Sequence, residues 1–442
     1  MKVINKILIL LAGIVWSACD GTCQTFNKSY GGFDFYDLEQ AYEINLGFDQ
    51  YLHVIYLNQD SDQGTSRVWR SRIDYVTGEL VDSTFTQRDS TTLIVQSWNH
   101  SDQLSDGGYI VAGYLAELLD SNTSYDNDLG FILRLDSNGD SLWLRKFGNE
   151  NEGNIFYQAK TCSDGGFVAV GTSDVNNANF DVWVVKVSSN GDEEWNYRYN
   201  TLPGYEDFGK TIVETSEGGF IVGGTTSYLW GSSVNKHLLL KLNSQGIQQG
   251  EPLIVGEDWS IAHGYAMLDY CADGNFVYTA RWTSDSSDNV NLFFAKINSD
   301  MEFIWIKDYE LTFGNPDTNY ASRIRENPDG TFIAVSGGEN ADGEDEGIIS
   351  KLDADGNILW HRYYQNGVNY HIINELHDVV RCPDGGYAAC GITFDWPGGT
   401  QYWVLKVDSM GCLIPGCDTL VNVLEQEGLE VVFETFPNPV ED

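Results

Sequence analysis

A chain of 442 residues, 42% hydrophobic and 13% aromatic, has material for one large all-β domain or two to three ordinary ones. Its 65 Asp and Glu against 25 Lys and Arg give a formal charge of -40. Phosphate backbones and anionic lipid headgroups repel such a polyanion, which argues against nucleic acid and acidic membrane surfaces as partners.

The chain opens "MKVINKILILLAGIVWSAC". Lys2 and Lys6 precede an apolar run from Ile7 to Val15, and the small residues Ser17 and Ala18 follow. This is the layout of a secretory signal over residues 1–23, and the run is too short to span a membrane. Cys19 partly fits a bacterial lipobox, but Trp16 stands where that pattern wants an aliphatic residue. Cleavage before Gln24 fits better.

Beyond Gln24 the sequence repeats itself. An acid–glycine–glycine–aromatic signal opens at Asp106, Asp164 and Glu217, continues in looser form at Asp273, Asp329 and Asp384, and has a worn copy at Asp49. That makes seven copies with a period of about 55 residues. The copy around Asp164 reads as four strands, Tyr157 to Cys162, Gly166 to Thr172, Asp181 to Ser188 and Glu193 to Tyr199. Each is rich in Val, Phe, Trp and Tyr and bounded by turn residues. Four-stranded units recurring without helices predict an all-β fold, a seven-bladed β-propeller over residues 24–419. The seventh copy lacks its fourth strand, replaced by "DSMGCLIPGCD". "TFNKSYGG", from Thr25 to Gly32, matches the fourth strand of other units, and it is expected to complete the last blade and close the ring.

Two charges recur in every unit. The turn acids Asp49, Asp106, Asp164, Glu217, Asp273, Asp329 and Asp384 face Arg72, Arg134, Lys186, Lys241, Lys296, Lys351 and Lys406 across the second and third strands. A pattern repeated in every blade is scaffold rather than a catalytic set. "DSNGDSLW" and "DADGNILW" look like oxygen-ligand loops for calcium, but equivalent turns lose the acids and keep the glycine, so turn geometry accounts for them and no metal is expected. Their glycine-to-tryptophan spacing is one residue too long for a sialidase Asp-box. The Trp pattern is also that of a quinone-cofactor propeller, but cofactor-contacting residues are not in evidence and no cofactor is expected. Trp143, Trp195, Trp305 and Trp360 on fourth strands, with Trp183 and Trp403 on third strands, read as core. Cys162, Cys271 and Cys382 share one slot before the turn and read as buried packing residues. Cys412 and Cys417 flank a Pro-Gly bend and suit a disulfide in an exported protein, with Cys23 as a rival partner.

The face opposite the turn acids carries loops that differ strongly between units. Tyr205, Tyr228, Trp230, Trp259, His263, Trp282 and Trp396 gather there and are the candidate ligand-binding residues. No catalytic residue stands out.

After Asp418 the composition changes. "FPNPV" near the end resembles the first strand of the C-terminal sorting domain of the type IX secretion pathway of Bacteroidota. The repeats are similar to those of propeller proteins carrying that domain. The resemblance implies export to the outer cell surface or beyond and contact with the type IX machinery. That domain runs for several tens of residues, so residues 420–442 are expected to be a linker and a truncated start of it. A monomeric, non-catalytic propeller that binds a glycan or a surface protein is the leading expectation. The alternative is a polysaccharide hydrolase or lyase using acids at the central channel, with Asp378, Glu375 or Arg323 contributing.

Overall fold

The computed structural model describes residues 24–31, 37–60, 65–85, 92–94, 100–116, 128–149, 152–174, 179–201, 204–227, 235–255, 267–283, 290–309, 320–340, 343–366, 373–395, 399–414 and 417. Strand β1 (Phe26–Tyr30) comes first, and seven blades then follow in chain order. Blade one holds β2 (Asp37–Leu46), β3 (Tyr51–Asp60), β4 (Thr65–Asp74) and β5 (Leu80–Phe85). In blade two the inner strand is split into β6 (Thr92–Ile94) and β7 (Ser101–Gln103), both paired with β8 (Tyr109–Ala116), which leads to β9 (Leu129–Leu135) and β10 (Ser141–Phe147). Blade three is β11 (Gly153–Thr161), β12 (Phe167–Asp174), β13 (Phe180–Val187) and β14 (Glu193–Tyr199). Blade four is β15 (Glu206–Glu214), β16 (Phe220–Ser227), β17 (Asn235–Leu242) and β18 (Leu253–Val255). Blade five is β19 (Met267–Tyr270), β20 (Phe276–Thr283), β21 (Val290–Ile297) and β22 (Phe303–Tyr309). Blade six is β23 (Tyr320–Glu326), β24 (Phe332–Glu339), β25 (Asp345–Leu352) and β26 (Ile358–Tyr364). Blade seven is β27 (Ile373–Arg381), β28 (Tyr387–Asp395) and β29 (Gly399–Val407), and its fourth strand is β1.

The fold is therefore a seven-bladed propeller of four-stranded antiparallel blades. Closure comes from β1, which pairs antiparallel with β29 from Phe26↔Lys406 to Tyr30↔Tyr402. Its side chains take the places that fourth strands hold elsewhere. Asn27 accepts from Trp403 Nε1 at 2.5 Å, as Asn196 of β14 accepts from Trp183 at 2.7 Å. The inner strand of blade three begins at Gly153, earlier than its sequence pattern suggests. A bulge between Phe156 and Gln158 ejects Tyr157 and breaks the alternation there, while pairing continues beyond it.

Apolar side chains fill the gaps between neighbouring blades. Phe156 stacks on Trp183 at 4.1 Å between ring centroids, and the two share a cluster with Ile110, Ala112 and Ile132 of blade two. Burying an aromatic of this size contributes roughly 1.5–3 kcal/mol. Trp183 and Trp403 are fully buried, Trp360 nearly so, and Trp143, Trp195 and Trp305 pack half-buried against adjoining blades. Cys162, Cys271 and Cys382 are buried, as expected of packing residues.

The turns after the third strands follow one chemistry. Asp136 Oδ1 accepts from Asn138 N at 2.8 Å and Asp140 N at 2.9 Å, and Asn243, Asn298, Asp353 and Asp408 repeat the arrangement. An Asn serves as well as an Asp because the turn needs only an acceptor. Gly139, Gly191, Gly246, Gly356 and Gly411 occupy the left-handed position, with φ between 75° and 89°. A Cβ at Gly246 would lie 2.8 Å from Trp195 of the preceding blade, so the glycine also lets neighbouring blades close. Blade five departs from this, placing Met301 at φ 63°. Gly250 in blade four stands at the sequence position that carries Trp143, Trp195, Trp305 and Trp360 in blades two, three, five and six.

Five of the seven expected acid–base pairs are ion pairs: Asp49–Arg72 at 3.3 Å, Asp106–Arg134 at 2.5 Å, Asp164–Lys186 at 2.8 Å, Asp273–Lys296 at 2.7 Å and Asp384–Lys406 at 2.5 Å. In blade four Lys241 reaches to Asp300 in the β21–β22 turn of the next blade, at 2.9 Å. In blade six the Lys351 ammonium sits 5.9 Å from the Tyr387 ring centroid. Cys412 and Cys417 are joined by a disulfide after β29. Among the described residues no helix is long and apolar enough to cross a membrane.

Candidate functional site

Each inner strand places one residue in the same layer around the ring axis: Glu43, His100, Gln158, Thr211, Met267, Arg323 and Asp378, all nearly or wholly buried. Several of these side chains tie one blade to the next through backbone amides. Asp378 accepts from Ile44 N at 3.1 Å, Glu43 from Ser101 N at 3.0 Å, Gln158 Oε1 from Ile212 N at 2.6 Å, and Thr211 Oγ1 from Leu268 N at 3.2 Å. The strand bulge is what turns this column inward, because it shifts the two-residue alternation by one.

Two residues further along each strand, on the same strand face, lies a second layer: Asn45, Asp102, Lys160, Val213, Asp269, Arg325 and Val380. The two layers form one charged cluster across the axis. Lys160 pairs with Asp102 at 3.2 Å, Arg323 with Asp269 at 3.0 Å and Asp378 at 3.7 Å, and Arg325 with Asp378 at 2.8 Å and Asp269 at 4.0 Å. Burial pushes the Asp269 carboxyl up, but Arg323, Arg325 and Lys160 outweigh it and hold it below its ordinary value. Glu43 goes the other way, its carboxyl raised mainly by burial.

Where the inner strands of blades two to five run into their hairpin turns, a cavity of about 390 Å³ opens beside this cluster. Its walls include Asp102, Lys160, Thr161, Glu214, Asp269 and Tyr270. Glu214 is oriented by Ser163, whose N and Oγ donate to it at 2.7 and 2.9 Å. Among the described residues no group of three or more His, Cys, Asp or Glu could hold a metal ion.

Of the residues singled out from sequence for binding, Tyr205 is half-buried just before β15. Trp282 lies on β20 opposite Asn291, its side chain outside the described set. Tyr228, Trp230, Trp259, His263 and Trp396 fall on connections outside the described residues. The residues considered for catalysis separate into two groups. Arg323 and Asp378 meet in the axial cluster, whereas Glu375 lies beyond the bulge and pairs with His377 at 3.1 Å. Asp102, Lys160, Asp269 and Arg325 were not among the sequence candidates. Their signal is a column two residues past the bulge layer that holds charge in blades two, three, five and six but valine in blades four and seven.

No known protein family and no curated protein sequence matches the chain. Among solved structures it is similar to a protein of unknown function from Dyadobacter fermentans DSM 18053, at 11% identity over 72% of this chain and 98% of that one, with a TM-score of 0.45. An α-L-arabinanase from Penicillium chrysogenum complexed with arabinobiose is also similar, at 11% identity over 75% and 98%, with a TM-score of 0.49. A quinohemoprotein alcohol dehydrogenase from Pseudomonas putida HK5 follows at 11% identity over 88% and 75%, with a TM-score of 0.44. These are likenesses of backbone alone and assign no activity.

Proposed function

We propose that the protein is an exported binding propeller without catalytic activity, which recognises a glycan or a surface protein through the face opposite the hairpin turns. The observation that carries the reading is the engagement of the axial carboxyls. A glycosidase needs an accessible carboxylic acid held protonated beside a carboxylate. Here the reachable Asp269 is held down by two guanidinium groups, and the raised Glu43 is 1% exposed and bonded to Ser101. Asp378 is wholly buried and clamped by Arg325, which leaves it to join blades rather than to move protons. Export rests on the N-terminal signal and on the "FPNPV" segment, and binding on connections that differ between blades on a rigid ring.

The test is binding of purified protein to glycan and cell-surface-extract arrays, with polysaccharide turnover measured in parallel. A retained ligand whose binding falls at least tenfold in Trp230→Ala or Trp396→Ala supports the reading. Loss of all binding signal in the wild type, a ligand indifferent to both changes, or turnover abolished by Asp269→Asn overturns it.

A further inference from the structure

We infer that the axial cavity at the hairpin-turn face is a second site, for the terminal unit of a neutral saccharide. It lies at the other end of the inner strands from the face proposed above and stands or falls separately.

The walls combine fixed acceptors, a spare donor and an aromatic surface. Asp102 is oriented by Thr161, whose N and Oγ1 donate at 3.0 and 2.6 Å, and Asp269 accepts from Tyr270 N at 2.9 Å and Arg323 at 3.0 Å. With Glu214 held by Ser163, three carboxylates are locked in orientation while each keeps at least one oxygen with a further lone pair. Carboxylates accept hydroxyl protons in short, charge-assisted bonds, and pre-orientation removes the ordering cost of making them. The Lys160 ammonium carries three N–H donors, of which Asp102 takes one.

Tyr270 supplies the apolar wall. It is 43% exposed, and its ring is steadied edge-on against Phe276 at 5.6 Å. An exposed aromatic beside fixed acceptors suits a ring with one apolar face and a rim of hydroxyls. Beneath this layer, Gln158 Nε2 and Arg323 Nη1 are buried donors without a hydrogen-bond partner. Gln158 stands two residues before Lys160 on β11, hence on the same strand face, so donor capacity continues inward from the floor.

Charge and size select the ligand. Three carboxylates around one ammonium, in a chain of formal charge -40, disfavour an anionic sugar or a phosphate. Among the described residues Val213 is the one aliphatic group of the lining, which disfavours a hydrophobic peptide anchor. A volume of about 390 Å³ lies at the low end of the roughly 300–1,000 Å³ usual for small-ligand sites and suits one or two sugar units.

Saturation-transfer NMR with a panel of neutral methyl hexosides and pentosides, and matched methyl uronosides, tests the site on the whole protein. The expected result is transfer to at least one neutral glycoside, weakened at least tenfold by Tyr270→Ala and by Glu214→Gln. Ser216→Trp plugs the cavity from an exposed turn position and is expected to abolish transfer even if Tyr270→Ala fails to fold. Trp230→Ala and Trp396→Ala are expected to leave it unchanged, which separates this site from the other face. No transfer to any neutral glycoside, preference for uronosides, or transfer that survives Ser216→Trp overturns the inference.

Discussion

Lys406 is wholly buried at the end of β29, and Asp384 lies 2.5 Å from its ammonium. A buried cation stripped of its counter-charge is far more costly than a surface pair is beneficial, about 3–5 kcal/mol against 0–1. The seven blades therefore should not respond alike to loss of the turn acid. In blade three Lys186 keeps Glu194 at 3.0 Å when Asp164 is neutralised, and in blade two Arg134 keeps the carbonyls of Tyr109 and Leu135 when the 64% exposed Asp106 is neutralised. Asp384→Asn is expected to cost about 3 kcal/mol or more, and Asp164→Asn and Asp106→Asn about 1 kcal/mol or less. Urea denaturation of the three variants measures the ranking. Equal losses would show that the pairs act as surface charges, with burial of the base irrelevant.

Strands communicate through a hydroxyl that closes four of the gaps between blades. Tyr199 OH donates to Gly246 O, Tyr309 OH to Gly356 O and Tyr364 OH to Gly411 O, each at 2.6 Å, and Tyr30 OH of β1 makes the same bond to Gly78 O. The tie thus runs from the fourth strand of one blade to the third-to-fourth turn of the next. Blade two has Phe147 in this register, opposite Gly130 as Tyr199 is opposite Val182, and no phenol reaches Gly191 from it. Tyr364→Phe leaves the Gly411 carbonyl without its donor and is expected to cost about 1 kcal/mol. Phe147→Tyr is expected to cost less or to stabilise. Thermal unfolding of both variants decides, and a neutral Tyr364→Phe would mean the hydroxyl ties carry no stability. The hairpins behind these contacts were legible in the sequence, because each turn is written locally by an acceptor, a glycine and an aromatic. The axial cluster was not. It draws single residues some 50 to 60 positions apart, of a different type in each blade, and a bulge displaces them from the alternation that would mark them as inward-facing.

Ring closure is the property of the whole molecule on which both proposed binding faces depend. Its position in the chain was readable because the seventh repeat lacks a fourth strand and Thr25 to Gly32 supplies the missing pattern. Phe26, 7% exposed, seats against Gly78 of blade one, where a Cβ would lie 2.7 Å from its ring, and Lys28 Nζ donates to Thr77 O at 2.9 Å. The strand thus joins blade seven by its backbone and blade one by its side chains. Burial of Phe26 contributes roughly 2 kcal/mol, and the tyrosine tie and the Trp403–Asn27 bond add about 1 kcal/mol each. A chain starting at residue 32 would keep six complete blades and expose the edge of β29, a template for pairing with other chains. Compared with a chain starting at residue 24, its unfolding midpoint is expected to fall by about 5 °C, with concentration-dependent association. A synthetic peptide of residues 24–31 added in trans is expected to reverse both effects by pairing with that edge. An unchanged midpoint in the shortened chain would show that the ring holds without its N-terminal strand. The two binding faces would then no longer depend on closure between the first blade and the last.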